Sequence, residues 1–135
     1  MDKLKEILEN STRVAVVGLS PKPERPSNDV ARYLMQQGYD IIPVNPGHQE
    51  ILGKVCYPDL KEIPGPVDVV EIFRRSEAVM PIVEDAIAIG AKYIWMQEGV
   101  FNAEAAVLAE QHGIPVVMDQ CMKAVHFRLR AKGEI

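Results

Sequence analysis

The sequence is poor in the residues that staple, ligate or span. Two cysteines, Cys56 and Cys121, stand far apart in 135 residues with no CxxC spacing. That excludes a disulfide scaffold and fits a reducing, cytoplasmic compartment. There is no HExxH and no clustered Cys/His pattern, so no metal site is expected. No apolar run approaches the roughly 20 residues that cross a bilayer. The opening MDKLKEILEN is charged and helical, unlike a signal peptide. Surplus positive charge is also missing. Fifteen Lys plus Arg against nineteen Asp plus Glu leave a formal charge of −4, which argues against duplex nucleic acid as a partner.

What is present is the composition of a globular protein, 47% hydrophobic and 25% charged. Its length predicts one domain over residues 1–135 that buries about two-thirds of its unfolded surface. Short apolar runs at 14–17, 39–44, 67–73, 93–96 and 114–118 are rich in β-branched and aromatic residues. They are apolar on both faces, as strands of a covered parallel sheet must be. Between them, Val79, Ile82, Val83, Ala86 and Ile87 fall at helical spacing and form one apolar stripe. Pro81 then belongs in the first turn of that helix. Gly38, Gly90 and Gly113 each stand just before a strand and mark helix ends. Ser27 and Asn102 mark helix starts as N-caps. Residues 1–12 form a helix packed outside the sheet.

Five strands alternating with helices predict a Rossmann-like three-layer α/β/α fold with a five-stranded parallel sheet, in the order 3-2-1-4-5. The stretch 46–65, rich in Pro and Gly, departs from the pattern. It is expected to be a long irregular connection with a helical turn or two at 59–63.

In such a sheet, ligands bind beyond the carboxyl ends of the strands. The segments there are 18–27, 45–46, 73–76, 97–102 and 119–123. They carry Lys22, Arg25, Arg74, Arg75 and Lys123 against only Glu24, Glu98 and Asp119. A positive mouth on an acidic protein suits a phosphorylated ligand. The first loop, VVGLSPKPERPSNDV, is not the dinucleotide fingerprint. GxGxxG needs glycines where Ser20 and Pro23 stand, and Val44, Asn45 and Pro46 replace the ribose-binding acid. NAD is therefore disfavoured. A P-loop is absent, and Gly18 follows Val17 where a phospho-acceptor site would need acids.

The segments VAVVGLSPKPERPSNDVARYL, GYDIIPVNP, LGKVCYPDLKEIP, VDVVEIFRRSE, IGAKYIWMQEGV and VVMDQCMK run in order over about positions 13 to 129. Together they resemble the small stand-alone CoA-binding proteins, whose Rossmann-like domain is similar to the N-terminal domain of succinyl-CoA synthetase α-subunits. The resemblance implies coenzyme A or an acyl-CoA lying across the strand ends. It implies Gly18, Ser20 and Lys22 around the pyrophosphate, with Arg25 on the phosphates. Asn45 and Pro46 would border the nucleotide, and Phe73, Arg74 and Arg75 would flank the adenine or the 3′-phosphate. Gln97, Glu98, Gly99 and Val100 would approach the pantetheine arm. Cys121 is either a thiol partner of the coenzyme or a small packing residue; Cys56, Trp95 and Met96 read as structural.

The resemblance carries over no catalytic residue. The synthetase's phosphorylated histidine belongs to a second domain, and His48, His112 and His126 do not inherit its role. The expectation is a CoA-binding module, with neither nucleic acid nor membrane as a partner. The alternatives are an enzyme acting on a CoA thioester or CoA disulfide through Cys121 or Glu98, and a sensor of another phosphorylated nucleotide.

Overall fold

The computed structural model describes residues 2–135. Five parallel strands form the central sheet: β1 (Arg13–Val17), β2 (Asp40–Val44), β5 (Val69–Ile72), β6 (Tyr93–Met96) and β7 (Val116–Val117). Between β2 and β5, the two-residue strands β3 (Glu50–Ile51) and β4 (Lys54–Val55) make a small antiparallel hairpin. Five α-helices flank the sheet: α1 (Lys3–Glu9), α2 (Pro26–Gln36), α3 (Val79–Ala88), α4 (Ala103–Gln111) and α5 (Met122–Ala131). The helical turn expected within 59–63 is a 3₁₀ turn over Leu60–Glu62.

Side-chain alternation along the strands divides the apolar residues into two layers. Ala15, Val17, Val70, Ile72, Ile94 and Met96 face Val83 and Ala86 of α3 and Ala105 and Ala109 of α4. Val14, Val16, Val69 and Trp95 face the other way, onto Ile7 of α1, Leu34 of α2, and Met122 and Val125 of α5. The predicted three-layer α/β/α fold is therefore present, and Trp95 and Met96 are core residues without exposure.

The strand order differs from the expectation. The sheet runs β2-β1-β5-β6-β7, so the five main strands stand in the order 2-1-3-4-5 instead of 3-2-1-4-5. The backbone of Tyr57 is the cause. It donates to the Pro43 carbonyl and accepts from the Asn45 N–H, each within 3.0 Å, and so occupies the outer edge of β2. The third strand cannot add there. The chain instead crosses by the 3₁₀ turn beneath α3 and enters the sheet beside β1.

Helix ends follow a common plan. Tyr39 N–H reaches the Leu34 carbonyl, and Gly38 N–H that of Met35; the same pair of bonds closes α3 at Gly90–Ala91 and α4 at Gly113–Ile114. This is the Schellman arrangement, with each glycine at positive φ. α5 closes the same way at Gly133–Glu134, a stop the sequence reading passed over. Asn102 caps α4 as expected, accepting from Ala105 N–H at 3.0 Å. Ser27 does not cap α2: the helix begins two residues earlier than expected, at Pro26, with Arg25 in the capping position.

Candidate functional site

The loop from Gly18 to Arg25 leaves β1 and is pinned at several points. Gly18, at φ +90°, lets the chain turn sharply off the strand. Asn45 Nδ2 donates to the Leu19 carbonyl at 2.8 Å, and Asn28 Nδ2 to the Ser20 carbonyl at 2.9 Å. The Ser27 hydroxyl, displaced from its expected capping role, accepts from Ser20 N–H at 3.0 Å. Arg32 binds the Pro23 carbonyl and the Asn28 side chain. A segment crowded with proline and charge thus holds one conformation, with the N-terminus of α2 behind it.

Much of this loop lines a cleft of about 750 Å³ along the carboxyl ends of the strands. Each strand contributes in turn. Asn45 and His48 follow β2; Gly18, Ser20, Lys22 and Arg25 follow β1; Phe73, Arg74 and Arg75 follow β5. Gln97, Glu98 and Val100 follow β6, and Cys121 follows β7. Twelve of the fourteen residues expected at the site therefore line one cleft. Pro46 lies instead on a separate cavity of about 160 Å³ shared with Arg74. Gly99 is outside the lining, its N–H donating to Asp119 Oδ1 at 2.7 Å.

Charge is distributed unevenly along the cleft. Lys22, Arg25 and Arg74 have no acidic partner within 4.0 Å among the described residues, while Arg75 shares an exposed pairing with Glu77 at 3.5 Å. Lys123, counted with these cations from the sequence, belongs elsewhere: its Nζ donates to Asp29 Oδ2 at 2.9 Å and lies over the Tyr33 ring. The half of the cleft over β6 and β7 presents an amide (Gln97), an apolar side chain (Val100) and a thiol (Cys121), with Glu98 the one formal charge there. The N-terminus of α2, at Arg25, Pro26 and Ser27, opens onto the cleft. Unpaired N–H groups and the helix dipole favour an anion at such an end.

His48 is a lining residue that the sequence reading set aside as a loop histidine. Only the irregular path of the 46–58 connection brings it to the cleft, and no local pattern signals that path. Val30 and Pro21 were missed for the same reason: their place is set by how α2 docks. Beneath the floor, the Glu71 carboxyl is completely buried and accepts from Gln97 Nε2. Burial pushes it up to about 8, with the Gln97 hydrogen bond pulling the other way. Cys56 is buried away from the cleft, and its thiol is raised by burial. The described residues contain no cluster of His, Cys, Asp and Glu able to hold a metal ion and no helix long and apolar enough to cross a membrane.

Residues 12–127 match the family described as CoA binding domain. The chain is 44% identical over 124 residues to the uncharacterized protein YneT of Bacillus subtilis (strain 168), covering 92% of each. A solved structure of a protein from Pyrococcus horikoshii OT3 superposes with a TM-score of 0.91 at 43% identity, over 94% of this chain and 89% of that one. The acetate–CoA ligase [ADP-forming] I of Archaeoglobus fulgidus is 28% identical over 123 residues, which are 84% of this chain but only 18% of that protein. The chain belongs to the CoA-binding domain family.

Proposed function

We propose that this member of the CoA-binding domain family binds coenzyme A or an acyl-CoA lengthwise in the cleft, as a binding module without catalytic residues of its own. The observation that carries the reading is the polarity of the cleft: unpaired cations and a helix N-terminus over β1 and β5, and over β6 and β7 an amide, an apolar side chain and a thiol, with Glu98 the one charge and no cation. Coenzyme A has the matching polarity. Its nucleotide end bears a pyrophosphate and a 3′-phosphate, and its pantetheine arm is neutral and ends in a thiol. Charge-assisted contacts to phosphate are the strong, orienting ones, whereas the arm needs an apolar wall and a few donors.

In this reading Gly18, Ser20 and Lys22 meet the pyrophosphate, and Arg25 reaches the same phosphates from the start of α2. Asn45 borders the nucleotide, and Pro46 supports that border from the next cavity. Phe73 stacks on the adenine while Arg74 and Arg75 serve the 3′-phosphate. Gln97 and Glu98 face the arm, Gly99 shapes their turn, and Cys121 stands near the thiol. The two free cysteines suit a cytoplasmic setting.

Calorimetric titration with CoA, acetyl-CoA, NAD and ATP in parallel tests the proposal. CoA or acetyl-CoA is expected to bind at least tenfold more tightly than either nucleotide. CoA binding no tighter than ATP would overturn it.

A further inference from the structure

A second cavity, of about 340 Å³, opens at the amino ends of β1 and β2, opposite the cleft. The two linings share no residue. Helix α5 runs between them: Cys121, at its start, lines the cleft, whereas His126 and Arg130 line this cavity. At 1.5 Å per residue, Arg130 stands about 13 Å further along the helix. The chain leaving α1 supplies Glu9 and Ser11, and the chain leaving α2 supplies Gln37 and Tyr39.

Two buried side chains in this lining have unused hydrogen-bonding capacity. Ser11 is 8% exposed, and its hydroxyl makes no hydrogen bond. His126 is 1% exposed and is held by Nδ1 alone, which meets the Tyr33 hydroxyl at 2.8 Å. Tyr33 and Tyr39 pack edge-on against the ring and fix its orientation. Burial, and secondly the Arg130 charge, lower the pKa of His126, so the ring is neutral at neutral pH. Its Nε2 makes no hydrogen bond among the described residues. Polar groups this deep are rarely left unpaired unless a ligand or an ordered water takes the vacant side.

The charges follow the same pattern. Glu9 and Arg130 line one cavity with opposite signs, yet neither forms an ion pair among the described residues, with each other or with a third group. A simple anion here would be opposed by Glu9, and a simple cation by Arg130. Only a ligand carrying both charges satisfies the two. Leu8 and Ile135 add an apolar wall. The volume is at the low end of the roughly 300–1,000 Å³ of ligand sites, which suits a small molecule and not a nucleotide.

We propose that this cavity binds a free α-amino acid with an apolar side chain. The carboxylate meets the Arg130 guanidinium, the Ser11 hydroxyl and the Nε2–H of His126, whose Nδ1 accepts from Tyr33. The ammonium faces Glu9 and the negative end of the α2 dipole. The side chain lies on Leu8 and Ile135. The site is separate from the cleft, and the inference does not rest on the coenzyme reading.

Chemical-shift titration of the isotope-labelled protein tests this, with L-leucine, 4-methylpentanoate and 3-methylbutylamine as probes. The second lacks only the ammonium and the third only the carboxylate; L-valine and L-methionine extend the series to a shorter and a longer side chain. Leucine is expected to shift the Ser11 and Gln37 amides and the His126 ring, and to bind at least tenfold more tightly than either analogue. Arg130→Gln, at an exposed position, should weaken leucine at least tenfold while thermal unfolding stays near that of the wild type. Glu9→Gln should narrow the gap between leucine and 4-methylpentanoate. Absence of shifts at these residues with all three amino acids would overturn the site. Equal affinity for leucine and either analogue would overturn its assignment to an amino acid, as would an Arg130→Gln variant that binds leucine like the wild type.

Discussion

The carbonyl oxygen of Phe73 closes over Gly18, so that a Cβ at Gly18 would run into it. The contact joins the ends of the adjacent strands β1 and β5, where the cationic half of the cleft begins. Gly18 also sits at φ +90°, a conformation costing other residues about 1–3 kcal/mol. Gly18→Ala should therefore lower unfolding free energy by at least that strain and weaken CoA binding as the loop shifts. Urea unfolding and CoA titration check this. A variant as stable as the parent would show that the loop yields at no cost.

Arg74 and Arg75 differ in what already holds them. Arg74 is half-buried without an acidic partner, whereas Arg75 is exposed and shared with Glu77. Arg74→Ala should lose one charge-assisted contact, about 1.5–3 kcal/mol, or roughly ten- to a hundredfold in affinity. Arg75→Ala should lose less. If Arg74 serves the 3′-phosphate, its loss will weaken CoA but leave dephospho-CoA nearly unchanged. Equal losses for the two ligands would move Arg74 to the pyrophosphate.

Lys123 ties the first turn of α5 to the first turn of α2 through Asp29, at 2.9 Å. Both side chains are more than a third exposed, so a double-mutant cycle with alanine at each position should give about 0.2–1 kcal/mol, shrinking in high salt. Lys123→Ala should change CoA affinity by less than about twofold, because this residue lies outside the cleft lining. A tenfold loss would mean that Lys123 leaves Asp29 for the ligand.

Glu71 gives the fold a pH dependence of definite sign. Its carboxyl rises from 4.5 to about 8 on folding. Between those values the folded protein holds a proton that the unfolded chain has released, so stability falls as pH rises through the window. Glu71→Gln removes the term. The variant should gain on the wild type by a few kcal/mol between pH 5 and pH 8, read from urea midpoints at several pH values. Parallel curves for the two proteins would show Glu71 to be ionised in the folded state.

The parts of the fold legible in the sequence were those governed by local rules. Strand cores such as Val14–Val17 and Tyr93–Met96, the glycine stops after α2, α3 and α4, and the Asn102 cap all follow from periodicity and cap chemistry. Strand order was not legible, because it turns on where Tyr57 docks, and no pattern within 46–65 announces that the segment will lie along β2. The site was legible so far as strand ends define it. Gly18, Lys22, Arg25, Arg74 and Cys121 fall together because each lies between the carboxyl end of a strand and the helix that follows it. His48 and the Glu71–Gln97 contact required the third dimension. A glutamate inside an apolar strand reads as an anomaly until its neighbour across the ladder is known.

The docking of Tyr57 also bears on how copies of this chain can meet. A sheet grows between molecules only through a strand with free N–H and C=O groups at its edge. At the carboxyl end of β2, the Pro43 carbonyl and the Asn45 N–H are already taken by the backbone of Tyr57. At the opposite side, β7 is two residues long, and Lys3 Nζ takes the Val116 carbonyl at 2.7 Å. Short length and a lysine at the margin are the devices by which natural sheets resist extension. Both margins of the sheet are thus partly covered against strand addition. The segment that reorders the strands thus also covers part of the sheet's outer edge.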